Sequence, residues 1–319
     1  MKNYCRAYIF ILCAFACAAL FFSGCNSGAE KVPSDEASIS ETLAISTADE
    51  VYAVDGISSA GVDPLILGIS PNIHYDKNSV GFQLDMPSQG DTVAIIHTNM
   101  GDITLRLFPE QAPKTVTNFI NLAKDGKYDN TSFYRVIEDM MIQGGHNGDD
   151  PDAVNGISSY GTEFEDEFCD KLFNIRGAVS MANSSKDSNG SQFFINQTDS
   201  DAFEKNGGWK YYNDLWLNMR TQLVSYKDSS LLSAFIDENG DKFINTDVIP
   251  DSVKQLYADN GGNPNFDGAF NAVDRGNTVF AQVIDGMGVV DKIAEVETND
   301  DNTPTEIVVI KTIEITTYK

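Results

Sequence analysis

Apolar and polar positions alternate from Asp91 onward in short runs. Residues 92–98 (TVAIIHT) and 102–108 (DITLRLF) flank Asn99-Met100-Gly101. Branched apolar residues on both sides of a glycine-containing turn predict a β-hairpin. The period then lengthens. Val116, Phe119, Ile120 and Ala123 recur at helical spacing behind Pro113, a residue suited to the first helical position, and Gly126 ends the run. Strand-like stretches return at 131–136, 140–143, 177–181, 192–195, 278–284 and 306–316, with a short helix over 288–295. Many short strands with two flanking helices predict a mainly β fold, a closed antiparallel barrel. No internal repeat is visible.

Residues 199–262 break this rhythm. Trp209, Tyr212, Leu215, Trp216, Met219 and Leu223, then Leu231, Leu232, Phe235 and Ile236, read as helices with an apolar stripe. The block is expected to be a helical insertion between two strands. Its tryptophans form either helix core or, in a competing reading, a surface that docks a partner. Asp237-Glu238-Asn239-Gly240-Asp241 resembles a calcium loop, but its glycine falls at the fourth place instead of the sixth, and a turn is the better reading.

The first 90 residues differ again. Lys2 and Arg6 precede an apolar run from Ala7 to Phe22, too short for a membrane span, which ends in Phe22-Ser23-Gly24-Cys25. Small residues before a cysteine resemble a bacterial lipoprotein signal: 1–24 would be removed and Cys25 acylated. The competing reading is an ordinary secretory leader. Residues 25–60 are rich in Ser, Ala, Glu and Asp and are expected to form a flexible stalk. Residues 61–90 form a lead-in of uncertain structure, and 91–319 the folded domain.

The formal net charge of -25 argues against nucleic-acid binding, since such a surface repels phosphate backbones. Charge does not draw the chain to anionic lipid either, so contact with a membrane requires a covalent anchor. Of five cysteines, three lie in the leader and one is Cys25. Cys169 alone remains, so no intramolecular disulfide is expected and Cys169 reads as a small, partly buried hydrophobe. His74, His97 and His146 show no ligand spacing. Glu163, Glu165, Asp166 and Glu167 are interleaved with Phe164 and Phe168, and read as a solvated loop anchored by phenylalanines. Neither a metal nor a cofactor is expected.

The candidate chemistry lies in two stretches, 133–145 (FYRVIEDMMIQGG) and 180–195 (SMANSSKDSNGSQFFI). Alternation puts Arg135, Met141 and Gln143 near one face of a sheet: a cation fork, an apolar floor and an amide. The paired glycines suit a tight turn or a close backbone approach.

These stretches, with the helix at 113–123 and the tail from Thr278 to Val296, resemble cyclophilin-type peptidyl-prolyl cis-trans isomerases over about 91–316, interrupted by the insertion. The resemblance implies an eight-stranded barrel closed by two helices, with the substrate groove on its outer wall. It implies that Arg135 is the catalytic arginine, Gln143 the groove glutamine acting with it, and Met141 the groove methionine. Asn183 matches the asparagine whose backbone holds substrate, and Ser184 a small residue beside it. Gln192 and Phe194 match the second glutamine and the floor of the proline pocket. Tyr134 stands where many members have His, Met140 where a Phe walls the pocket, and Asn277 where a His is usual. The third wall is open between Phe266, within Phe266-Asp267-Gly268, and Val273.

The expected function is isomerisation of X-Pro bonds in unfolded or exported polypeptides, by a lipid-anchored monomer on an extracytoplasmic face. The alternative is a proline-peptide-binding or holdase module with little turnover.

Overall fold

A computed structural model describes residues 45–47, 50–52, 80–147, 155–226 and 229–319. Strands β1 (Ile45–Thr47) and β2 (Glu50–Tyr52) pair antiparallel, with Ile45 opposite Tyr52, in a unit of their own. The pair falls inside the expected stalk. The leader, Cys25 and most of the lead-in lie outside the described residues.

The second unit contains the barrel. Its strands are β3 (Thr92–Thr98), β4 (Asp102–Leu107), β5 (Thr131–Ile137), β6 (Met141–Gly144), β7 (Ala178–Met181), β8 (Phe193–Asn196), β9 (Val279–Asp285) and β10 (Val308–Thr317). They close in the order β10-β3-β4-β9-β7-β8-β6-β5, every pair antiparallel. Closure removes the free edges that an open sheet of short strands would expose. Helices α1 (Pro113–Lys124) and α6 (Met287–Ala294) pack their apolar sides onto this core. The hairpin, both helices and all eight strands fall within a few residues of the spans expected from periodicity.

Phenylalanines fill the barrel. Phe119 of α1 meets Tyr128, Phe193 and Phe280 at centroid distances of 5.4, 5.7 and 5.1 Å, all fully buried. Gly145 has φ +82, and a Cβ there would lie 2.7 Å from the Phe193 ring, so this glycine serves a close approach as well as a turn. The start of α1 has no local side-chain cap at Ala112. Glu167 supplies one from the acidic loop: its carboxylate accepts the Lys114 and Thr115 N–H groups at 3.0 and 2.8 Å. That loop is therefore partly structural. Phe164 is buried, as expected of an anchor. Cys169 packs against a buried apolar cluster that includes Leu172 and Phe173, and burial pushes its thiol pKa up.

The ordered body begins before Asp91. Gln83, fully buried, donates to Phe173 O (3.0 Å) and Gln282 Oε1 (2.9 Å) and accepts from Phe173 N (2.9 Å). Arg106 donates to Phe82 O and Asp85 O. Part of the lead-in is thus bound to the barrel.

The insertion folds as α2 (Ser200–Lys205), α3 (Gly208–Ser225), α4 (Ser229–Asn239) and α5 (Asp251–Asn260). Trp216 is 3% exposed and donates to Asp247 Oδ2; Trp209 donates to Lys254 O. Trp216 is helix core, and Trp209 is half-buried against Phe203 and Tyr257. Asp237, Glu238 and Asn239 end α4, and a 3₁₀ turn at Gly240–Lys242 follows, so the expected turn is a helix terminus. Among the described residues no helix is long and apolar enough to cross a membrane.

Candidate active site

Strand register assembles the site. On β5, Arg135 lies opposite Gln143 of β6, and Gln143 lies opposite Phe194 of β8. Three strands thus place Arg135, Gln143 and Phe194 in one lateral row, with Met141 two residues along β6. The pairing skips one residue between Phe133 and Arg135. Such a bulge re-aims the side chains around it, here Tyr134 and Arg135.

The polar side chains are linked. Arg135 donates to Gln143 Oε1 at 3.3 Å. Gln143 Nε2 donates to the Tyr134 hydroxyl at 2.6 Å and to Gln192 Oε1 at 3.1 Å. Tyr134 donates in turn to Gln192 Oε1, and Gln192 Nε2 donates to His146 Nδ1 at 2.8 Å. Burial pushes the Tyr134 phenol up to about 12, against Arg135 and Gln143, which favour the phenolate. It therefore remains a donor at neutral pH. Tyr134 thus orients Gln143.

Below the row is an apolar patch. Met141, Ala182 and Phe194 are buried, with Ile137, Met140 and Phe266 packed against them. Phe266 meets Phe194 edge to face at 5.2 Å. Val273 packs instead into the Trp216 cluster. Of the two candidates for the wall, Phe266 is the one that packs against Phe194. Its neighbour Asp267 is buried and accepts from Asn174 N (2.8 Å), Asn174 Nδ2 (2.9 Å) and Tyr257 Oη (2.5 Å). Burial raises the Asp267 pKa to about 7, against those hydrogen bonds. The Phe266 carbonyl accepts from Asn277 N at 2.9 Å. Helix α5, which carries Tyr257, therefore buttresses the wall.

A groove of about 260 Å³ runs over this surface. Arg135, Met141, Gln143, Asn183, Phe194, Phe266 and Asn277 line it. Asn183 is fixed by its side chain, which donates to Asp166 Oδ1 (3.1 Å) and Gly276 O (2.8 Å). Asn277 donates to Met181 O at 2.9 Å.

Three expected residues do not line the groove. Gln192 sits behind Gln143, in the network just described. Exposed Ser184 belongs to the adjoining loop, where Ser184 N donates to Ser188 Oγ (3.2 Å) and Ser184 Oγ accepts from Asn155 (3.0 Å). Met140 lines a neighbouring cavity between the barrel and the insertion. Sequence reasoning missed Asp237, Glu238, Asp241 and Arg275, which also line the groove. Their charge was visible; their approach to the barrel depends on how the insertion packs. Among the described residues no group of three or more His, Cys, Asp or Glu is arranged to hold a metal.

The arrangement offers a guanidinium beside an amide above an apolar patch. The model of the family "cyclophilin type peptidyl-prolyl cis-trans isomerase" matches residues 93–212 and 255–315. The gap falls within the insertion. A Staphylococcus aureus (strain USA300) protein, provisionally named a peptidyl-prolyl cis-trans isomerase, is 38% identical over 229 residues, 71% of this chain and 93% of its own. A Staphylococcus haemolyticus protein of the same provisional name is 36% identical, covering 73% and 96%. A Streptococcus pyogenes protein, provisionally named a bifunctional phosphatase/peptidyl-prolyl cis-trans isomerase, is 39% identical over 75% of this chain, and the chain spans only 42% of it. A solved Cryptosporidium parvum structure of a cyclophilin type peptidyl-prolyl cis-trans isomerase is 24% identical, covers 72% of this chain and 99% of its own, and has a TM-score of 0.44.

Proposed function

Because this chain belongs to the cyclophilin-type peptidyl-prolyl cis-trans isomerases and is an enzyme of that class, we propose that it rotates X-Pro bonds in unfolded or exported polypeptides through a transition-state hydrogen bond from Arg135. Rotation is slow because the amide is conjugated, with an activation energy of about 20 kcal/mol. Cis and trans X-Pro differ by only about 0.5–1 kcal/mol, so no energy source is needed. In the twisted state the proline nitrogen pyramidalises and gains a lone pair. A guanidinium can donate to that lone pair, whereas the planar amide offers none. The bond therefore forms preferentially in the transition state. Arginine suits the task because it stays charged and presents a rigid fork of donors.

The observation that carries this reading is the lateral row in which Arg135 and Gln143 stand beside Phe194, with Phe266 closing the pocket. Gln143 and the Asn183 main chain then grip carbonyls, while the proline ring rests on Phe194 and Met141. A second reading, binding with little turnover, is favoured by one observation: Met140 lines the neighbouring cavity and gives the pocket no aromatic wall on that side. NMR exchange on a proline tetrapeptide with the purified protein separates the two. Catalysis broadens and exchanges the cis and trans resonances, which is the expected result. Shift changes without exchange would leave only binding.

We propose further that Cys25 is acylated and holds the enzyme at the outer face of a cell membrane, where it meets newly exported chains. The leader pattern ending in Ser23-Gly24-Cys25 supports this. Mass spectrometry of the N-terminal peptide is expected to find a lipid-modified Cys25 as the first residue; an unmodified Cys25 would remove the anchor.

A further inference from the structure

The insertion contributes a charged wall to the groove. Asp237 and Glu238, in the last turn of α4, and Asp241, in the following 3₁₀ turn, line the same groove as Arg135 and Phe266. All three are exposed, and among the described residues none forms an ion pair. The two cations that share the groove have protein acceptors: Arg135 donates to Gln143, and Arg275 to Ser184 O at 3.3 Å.

The position of this wall is built into the fold. Gly240, buried between Glu238 and Asp241, lies against Arg275: a Cβ there would come within 2.9 Å of Arg275 Cγ. The Gly240 carbonyl accepts from Asn271 Nδ2 at 2.7 Å. Ala272 N donates to Phe243 O at 2.8 Å, and Phe243 is fully buried in the Trp216 cluster. The end of α4 is therefore clamped to the segment that follows Phe266. These carboxylates and Phe194 line one groove, so a polypeptide seated with its proline on Phe194 would lie in the groove they line.

Resting on the isomerase reading of the groove, we infer that Asp237, Glu238 and Asp241 determine specificity and select X-Pro substrates with a lysine or arginine within about three residues of the proline. Opposite charges attract across the groove, and an acidic flanking residue meets three like charges; Arg275, bonded to a neutral carbonyl, keeps its own charge and offsets them in part. Exposure keeps each pair weak and sensitive to salt, which screens charges beyond about 8 Å at 0.15 M. The preference is therefore graded, and it appears mainly in KM, because the acids bind flanking residues and not the rotating bond.

The test compares tetrapeptides carrying Lys, Ala or Glu next to the X-Pro pair, on either side, with the purified full-length protein at low salt. The expected kcat/KM ratio of Lys to Glu peptide is roughly five- to tenfold on at least one side, falling towards one at 0.5 M salt. In the variant Asp237→Asn/Glu238→Gln/Asp241→Asn the ratio collapses towards one at low salt. Asp241→Lys alone, a surface change that spares the apolar core, leaves Asp237 and Glu238 in place against one lysine and so lowers the ratio part of the way. A ratio near one in the wild type, or one that survives in the triple variant, would overturn the inference. Failure of the isomerase reading looks different, since no peptide would then turn over. The same Lys-to-Glu ratio, read from chemical-shift titrations of peptide binding, still decides the specificity claim in that case.

Discussion

Arg135→Ala lowers kcat/KM for a neutral proline tetrapeptide by roughly one to two decades. A charge-assisted hydrogen bond contributes about 1.5–3 kcal/mol, and each 1.36 kcal/mol is a factor of ten in rate. The loss falls on kcat, because the bond to a pyramidal nitrogen exists only in the twisted state. Peptide affinity is expected to change by no more than a few fold, since the pocket of Met141, Phe194 and Phe266 stays intact. Gln143 keeps its place in the variant, because Tyr134 and Gln192 hold its amide nitrogen independently of Arg135. Arg135→Lys does not restore the rate: an ammonium is a point charge without the planar fork. Exchange NMR at saturating peptide reads kcat directly. An Arg135→Ala protein as fast as wild type would discard the mechanism.

The largest effect on stability is expected at Phe119. This side chain is fully buried where α1 meets the barrel, against Tyr128, Phe193 and Phe280. Truncating a buried phenylalanine to alanine costs about 3–5 kcal/mol through lost transfer energy and the cavity left behind. Whole-domain stabilities are typically about 5–15 kcal/mol. Phe119→Ala should therefore move the urea midpoint far down with little change in slope. A loss below about 1 kcal/mol would mean that the barrel end repacks around the gap. Activity measured well below the new midpoint is expected to persist, because the groove rests on a separate apolar cluster on the outer wall.

Much of the architecture was legible because its signals are local. Hairpin, helices and strands follow from apolar periods of two or 3.6 residues, with Pro113 and Gly126 as punctuation. Arg135, Met141 and Gln143 were visible together because strand alternation sets them near one face, whereas Phe194, on a third strand, was named only by the family resemblance. Residues whose position depends on distant partners were harder to place. Ser184 and Gln192 follow the family's order along the chain, yet a serine loop holds one and a tyrosine network the other, away from the groove lining. Glu167 looked like part of a solvated acidic loop, although its carboxylate caps a helix more than fifty residues earlier in the chain.

By itself the chain's order of residues determined the barrel, since its strands and helices arise from patterns a few residues long. Tertiary structure alone placed Phe266, and not Val273, against Phe194, set Met140 on the lining of a neighbouring cavity while it packs on the same apolar patch, and brought the acids at the end of α4 to the groove. The physical reason is that a side chain's surroundings depend on which distant surfaces bury one another. A charge seen in sequence acquires its field of action only after that packing is complete.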